Sequence, residues 1–343
     1  MNKDFRTIFD SLKESKQETL FTNDKVLLVD SLNTFLRSFV MINHLNSQGN
    51  HIGGLTGYLK SIGFAIKLIK PTRVILVFDG MGGSTNKQYL YPEYKANRKL
   101  KKITNWDAFD TREEEAESIT NQVLRLIEYL KCLPVDLLCI DKIEADDVIG
   151  YLANNLEGHV HIMSSDKDYI QLVSDRVTVY SPIKKKFYTP KEVKQELLIP
   201  AINYLNHKVL LGDISDNIPG VRGLGPKGLI KLFPQLQSER KIPLKEIVQY
   251  SKDNADSKKA YQSVYNFRNQ LEINEKLMDL HSPNVPEEDI LTIEDIIANP
   301  SKHIDRQSFL HMYTEDNLGN SIPNTAMWLF DVFDYITHIK NKS

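Results

Sequence analysis

Nine carboxylates sit where a folded chain finds charge hardest to bury, and together they have the donor chemistry of a divalent-cation site. Asp30 ends the apolar run Val26-Leu27-Leu28-Val29, and Asp79 ends Val74-Ile75-Leu76-Val77-Phe78. Glu144, Asp146 and Asp147 crowd the start of an apolar stretch that continues through Val148 and Ile149. Asp166 and Asp168 follow Val160-His161-Ile162-Met163, and Asp213 and Asp216 follow Val209-Leu210-Leu211. Like charges this close disfavour one another's ionisation, so the clustering is electrostatically expensive and looks like a site for divalent cations. Mg2+ is a hard cation that takes one or two carboxylates along with waters and substrate phosphates. Two ions about 3.5–4 Å apart can clamp the attacking and leaving oxygens of a phosphoryl displacement, and such a pair needs more acids than one motif supplies. A single acid near a helix start is more often a cap or a dipole partner. The set of nine, at successive strand ends, carries the reading.

Two basic elements accompany the acids. From Lys87 to Lys102 there are six Lys/Arg and one acid. In Tyr94-Lys95-Ala96-Asn97-Arg98, helical spacing would put Lys95 and Arg98 on one face, where they could grip one phosphate. Tyr89, Tyr91 and Tyr94 interleave with these cations and could stack a displaced base. The second element is Gly220-Val221-Arg222-Gly223-Leu224-Gly225-Pro226-Lys227-Gly228. Its glycines free the backbone to approach a phosphate, and Pro226 can open the next helix at its first position. Between two short helices, with Lys227 and Lys231 following, it reads as a helix–hairpin–helix. Lys87, Lys99, Gly220, Arg222, Gly223, Gly225 and Lys227 are the expected nucleic-acid contacts.

Strands are expected at 26–30, 73–79, 135–140, 159–165 and 176–181, with a hairpin return at Phe187-Tyr188-Thr189. Helical spacing falls at 52–70, 113–131, 144–156 and 167–173, and residues 1–24 read as an amphipathic helix (Phe5, Ile8, Phe9, Leu12) and a connector. Near-continuous apolar strands alternating with helices predict an α/β fold with a mostly parallel central sheet flanked by helices. In such sheets the functional crevice lies at the strands' carboxyl ends, where Asp30, Asp79 and Asp166 fall. Residues 80–112 form a long polar segment, the kind that serves as a lid or arm.

Taken together, Leu28-Val29-Asp30, Phe78-Asp79-Gly80, the Tyr94–Arg98 stretch, Glu144-Ala145-Asp146-Asp147, Ser165-Asp166-Lys167-Asp168 and Gly212-Asp213-Ile214-Ser215-Asp216-Asn217-Ile218-Pro219-Gly220-Val221 resemble the flap endonuclease/5′-nuclease superfamily. Order and approximate spacing match over residues 26–233. That superfamily includes 5′-nuclease domains of bacterial DNA polymerases and phage enzymes of the T-even ribonuclease H type; a free-standing chain without polymerase motifs points to the phage type. The resemblance implies a PIN-like catalytic domain at 26–190 with a helical arch at about 80–112. Around it would lie an N-terminal extension at 1–25 and a helical C-terminal domain at 191–343, with the helix–hairpin–helix at about 205–233. It implies two Mg2+ ions, replaceable by Mn2+, on the nine carboxylates, with Tyr94, Lys95 and Arg98 catalytic at the scissile phosphate. A K+ bound by loop carbonyls of the helix–hairpin–helix also follows from it. The implied activity is 5′-3′ exonuclease, flap endonuclease and ribonuclease H-type primer removal, leaving 5′-phosphates. The implied partners are DNA with 5′ flaps or nicks, RNA–DNA hybrids and a single-stranded DNA-binding protein. Two other readings share these residues: a non-catalytic branched-DNA-binding module of the same fold, and a PIN-like ribonuclease acting on free RNA.

The bulk numbers are consistent and less specific. Charged residues make up 26% of 343, with a net charge of −2, so only the segregation of charge points to a polyanion. Cys132 and Cys139 are outside any metal-ligand spacing and are expected to be buried thiols in a reducing compartment. No apolar run reaches membrane-spanning length and the start is polar, so an intracellular, cytoplasmic monomer is expected, in host cytoplasm if phage-encoded. The apolar stretch Met327–Ile336 is expected to dock on the protein's own core.

Overall fold

The computed structural model describes residues 20–97, 104–105 and 107–340. The N-terminal helix expected from Phe5, Ile8, Phe9 and Leu12 lies outside the described residues, as do Arg98 and Lys99. The apolar runs become strands covered on both faces. In chain order the first half is β1 (Lys25–Asp30), α1 (Ser31–Met41), α2 (Gly53–Ile69), β2 (Arg73–Asp79), α3 (Thr85–Leu90), α4 (Arg112–Lys131), β3 (Asp136–Ile140), α5 (Ala145–Asn155), β4 (His159–Met163), β5 (Val177–Ser181) and β6 (Lys186–Tyr188). The sheet order is β3-β2-β1-β4-β5-β6, parallel except for the β5–β6 hairpin. Strand order reverses between β1 and β4, which opens a crevice above their carboxyl ends.

Successive side chains of one strand feed opposite cores, as a period of two requires. Val26 and Leu28 of β1 join one cluster, with Ile75, Val77, Ile162, Val148 and Leu152. Leu27 and Val29 join the other, with Leu76, Phe35, Phe39, Leu59 and Leu126. The helix at Ser31–Met41 was not expected, although Phe35 and Phe39 are spaced for it; Asp30 caps it, accepting from the Asn33 amide at 3.4 Å.

The second half is helical: α6 (Pro190–Leu197), α7 (Tyr204–Leu211), α8 (Pro226–Leu232), α9 (Leu244–Asp253), α10 (Lys259–Asn266), α11 (Arg268–Met278), α12 (Glu287–Ala298), α13 (Arg306–Glu315) and α14 (Thr325–Phe333). Its helices enter both cores. Leu210, Val264, Leu271 and Ile293 lie in the first cluster, and Phe309, Leu329, Val332 and Phe333 in the second. The terminal apolar stretch therefore docks on its own core, and Trp328 lies so close to Gly63 that a Cβ there would come within 2.7 Å of the indole. At the opposite edge of the sheet from the crevice, buried Arg73 donates to Asp136 at 2.7 Å and to the Ile296 and Ile297 carbonyls at 2.8 Å. That guanidinium closes the end of α12 onto the sheet.

Two expectations differ from the fold. The described part of the basic arm, Tyr94 to Asn97, is a run of turns and not a helix, with Lys95 at φ 57°. Pro92 explains this: it cannot continue the short helix α3, and it sends the chain into the Tyr91–Tyr94 and Glu93–Ala96 turns. Cys132 is buried, but Cys139 is exposed, because it alternates outward on the edge strand β3.

Candidate active site

The strand ends bring the expected acids to one side of the sheet. Asp30 and Asp79 terminate neighbouring strands β1 and β2. Asp79 also accepts from the Ala145 amide at 2.9 Å, so it caps the helix whose first turn carries Asp146 and Asp147. Glu144 is the N-cap residue of that helix in position but makes no capping hydrogen bond with its side chain. Its carboxylate is released toward the crevice. Glu144, Asp146 and Asp147 each offer an oxygen within 4.8 Å of the others, the one such triple among the described residues. Glu144 and Asp147 are buried and Asp146 is half-buried.

Outside the triple, Asp30 and the pair Asp168 and Asp213 have polar partners of their own. Asp30 is buried, accepts from the Ser164 hydroxyl at 2.9 Å and from the Tyr169 hydroxyl at 3.3 Å. Burial, reinforced by the charge of Asp79, pushes its carboxyl up to about 7. The Tyr169 hydroxyl is driven well above its usual range by burial and then by the charges of Asp30, Asp146, Asp166 and Asp79. Asp168 and Asp213 are bridged by the half-buried Lys208, which donates to Asp168 at 2.6 Å and to Asp213 at 2.5 Å. Burial and the charge of Asp166 push Asp168 up to about 6 even with Lys208 beside it. Asp216 connects to the triple through Tyr94, whose hydroxyl lies 2.8 Å from Glu144 and 3.4 Å from Asp216.

Two lysines supply the counter-charge that the acids demand. Lys95 donates to Glu144, with Tyr94 flat beneath its ammonium at 4.9 Å from the ring centroid. Lys87 lies deeper, 8% exposed, with its ammonium 2.9 Å from Glu144, 3.2 Å from Asp146 and 2.9 Å from Asp147. Burial opposes each of these charges. Against it, Lys87 and then Lys95 hold Glu144 below the usual carboxylate range, while burial keeps Asp146 and Asp147 above theirs. Lys87 was expected on the nucleic-acid face and is found inside the cluster instead. The reason is geometric: the turn before α3 is tied to the start of α5, with the Gly80 amide donating to the Ile143 carbonyl at 3.2 Å and Ser84 to Glu144 at 2.7 Å. Tyr94, 2% exposed, is likewise unavailable for stacking, whereas Tyr89 is 85% exposed.

The second basic element falls where the glycines allow. The connector between α7 and α8 folds back on itself. A Cβ on Gly220 would lie 2.0 Å from the Leu211 carbonyl, and one on Gly212, at φ 72°, would lie 2.4 Å from the Gly220 amide. Gly220 is thus required for close backbone approach. Gly223, at φ 79°, and Gly225 face open space, with Arg222 and Lys227 exposed beside them. Pro226 opens α8 as expected. Ser84, Ser164, Tyr169 and Lys208, which hold the acids, were not singled out in the sequence; each is an ordinary residue type with an acidic partner distant along the chain, Lys208 reaching Asp168 as well as the nearby Asp213.

The donor set fits hard divalent cations: clustered carboxylate oxygens, and a protein ammonium already drawn among three of them. A cleft of about 540 Å³ between Asn46–Leu55, α4 and Glu315–Leu318 is lined by none of the nine acids. Carboxylates beside Lys95, with the exposed Arg222–Lys227 turn following the loop of Asp213 and Asp216, suit a polyanion.

A profile of the 5′-3′ exonuclease N-terminal resolvase-like domain matches residues 25–198. The chain is 31% identical over 227 residues to a 5′-3′ exonuclease of Bacillus subtilis (strain 168), covering 63% of this chain and 72% of that one. It is 30% identical over 261 residues to DNA polymerase I of the same organism, and spans 27% of the polymerase's length. Among solved structures, the T5 D15 protein co-crystallised with metal ions aligns at a TM-score of 0.60 and 21% identity, covering 87% of this chain and 99% of that one. Human GEN1 in complex with Holliday junction DNA aligns at 0.55 and 14% identity, covering 96% and 76%. At such identities these two speak for the fold. The sequence matches and the site agree, and the chain belongs to the 5′-3′ exonuclease family.

Proposed function

We propose that the protein is a Mg2+-dependent, structure-selective 5′ nuclease that hydrolyses phosphodiesters of 5′ flaps, nicked duplexes and RNA–DNA hybrids. The observation that carries this reading is the meeting of Lys95 with Glu144 at the centre of the acids, which puts a phosphate-gripping cation on the cation-binding carboxylates. Glu144, Asp146 and Asp147 would hold one divalent ion, and Asp30, Asp79, Asp166, Asp168, Asp213 and Asp216 would complete a two-ion platform directly or through water. A divalent cation bound there supplies Lewis-acid activation of water and neutralises charge on the phosphodiester. The chain's own groups do the rest. Lys95 contacts the scissile phosphate together with Arg98, and Tyr94 orients Glu144 by its 2.8 Å hydrogen bond. Gly223, Arg222, Gly225 and Lys227 take the duplex backbone without reading sequence, with K+ on loop carbonyls completing the grip. The products carry 5′-phosphates, and the biological task is removal of RNA primers and displaced strands. A single-stranded DNA-binding protein, an intracellular setting and a monomeric state belong to the same proposal; among the described residues no helix is long and apolar enough to cross a membrane.

The test is incubation of the purified full chain and Mg2+ with a 5′-labelled flap duplex and with an RNA-primed duplex. The reading expects release of short 5′-labelled products from both, abolished by EDTA. No 5′-end-dependent cleavage of either substrate, with tight binding retained, would support the non-catalytic binding module instead.

A further inference from the structure

We propose that Asn217 is a positioning residue, latching the base of the basic arm, and through it Lys95, onto the loop that carries Asp213 and Asp216; the proposal rests on the nuclease reading above. Besides the Tyr94–Asp216 hydrogen bond, three more join these two segments, which are remote in sequence. Asn217 Nδ2 donates to the Glu93 carbonyl at 2.7 Å, and Asn97 Nδ2 donates to Asn217 Oδ1 at 2.6 Å. The Lys95 amide donates to the Asp216 carbonyl at 2.9 Å. Lys95 at φ 57° and Asn217 at φ 59° are both left-handed. Asparagine tolerates that region, whereas lysine keeps it only when its surroundings impose it. With the backbone held so, the Lys95 ammonium lands on Glu144, and Tyr94 beside it spans Glu144 and Asp216.

The receiving loop is itself stiff. Asp213 and Ile218 exchange paired backbone bonds of 2.8 Å, and Gly212 and Gly220 press together beneath them. Asn274 of α11 donates to the Val209 and Pro219 carbonyls at 3.0 and 2.8 Å, clamping both ends. That loop runs directly into the exposed Arg222–Lys227 turn. One rigid unit therefore bears the duplex-binding turn, two of the acids and the seat of the arm. A substrate engaging the turn meets Lys95 already placed, so the latch couples duplex recognition to cleavage.

Asn217→Gly keeps the left-handed backbone available and deletes both side-chain bonds. Single-turnover cleavage of a 5′-flap duplex at saturating enzyme should slow ~10- to 30-fold, the effect of two ordinary hydrogen bonds. Affinity for a blunt duplex should stay within about 2-fold. In a Lys95→Ala background the same change should slow cleavage by less than about 2-fold, since the latch acts through Lys95. In the metal-free protein, amide hydrogen exchange at Lys95 and Ala96 should accelerate on Asn217→Gly; this measurement needs no cleavage. An unchanged cleavage rate, unchanged exchange, or slowdowns that multiply in the Lys95→Ala background would each overturn the proposal. Wild-type protein that cleaves neither substrate overturns the nuclease reading instead, and the exchange measurement then still decides the latch.

Discussion

Replacing Lys87 by methionine should destabilise the metal-free protein and do much less once a divalent cation is supplied. Lys87 is 8% exposed and its ammonium lies within 3.2 Å of Glu144, Asp146 and Asp147, so it is the main charge balancing the triple. Methionine fills similar volume but removes the ammonium that contacts all three carboxylates; among the described residues Lys95 still pairs with Glu144. Removing one partner of a buried ion pair typically costs ~3–5 kcal/mol, because the surviving charge stays desolvated. For a chain of 343 residues, an unfolding entropy of ~2.1 cal/mol/K per residue turns that into a fall in Tm of ~4–7 °C. The assay is thermal unfolding of wild type and Lys87→Met in EDTA and in millimolar Mg2+. A cation that shares the lysine's carboxylates binds the variant more tightly, so added Mg2+ should raise the variant's Tm more than the wild type's. Lys87→Arg, which keeps the charge, should lie near wild type in EDTA. Equal losses in EDTA and in Mg2+ would refute the reasoning, since they would make Lys87 a packing residue and not the counter-charge of a cation site.

Asp147→Asn should retain flap-duplex binding, measured by anisotropy, while lowering single-turnover cleavage by at least ~10²-fold; wild-type cleavage would remove Asp147 from the site. Lys95→Ala should slow cleavage by ~10²–10³-fold at saturating enzyme with little change in duplex affinity, and an unchanged rate would return the arm to a solvated surface. Arg73→Met, far from the acids, should lower stability by ~3–5 kcal/mol in urea unfolding, because Asp136 is left buried without its partner; its cleavage rate at low temperature should match wild type. His161 supplies a pH prediction. Burial, then the charges of Lys25 and His159, hold its imidazole down at about 4 against an ordinary 6.5. Its contribution to stability is complete above pH 6.5 and is lost as pH falls through about 4, because the unfolded chain takes up the proton first. His161→Gln should therefore flatten the fall of the urea midpoint between pH 7 and 4, and an unchanged slope would contradict the assignment.

Much of this architecture was legible in local pattern. The runs Val26–Asp30 and Val74–Asp79 read as doubly covered strands, and their acids had to emerge at the carboxyl edge, because strand direction and the parallel order leave them nowhere else. Pro226 and the glycines marked the α7–α8 turn for similarly local reasons. Partner choice was not local. Helical spacing placed Lys95 on a helix face, and Lys87 was expected among the nucleic-acid contacts, yet Pro92 turned the first segment into successive turns, and the fold carries Lys87 into the carboxylates. The same holds for Lys208, which bridges Asp168 and Asp213, and for Asn217, whose two partners lie 120 and 124 residues away. Residue type and period specify which charges must be neutralised and at which edge of the sheet they stand. Which ammonium or amide does so depends on loop closure and packing between distant segments, and only the folded chain brings those together.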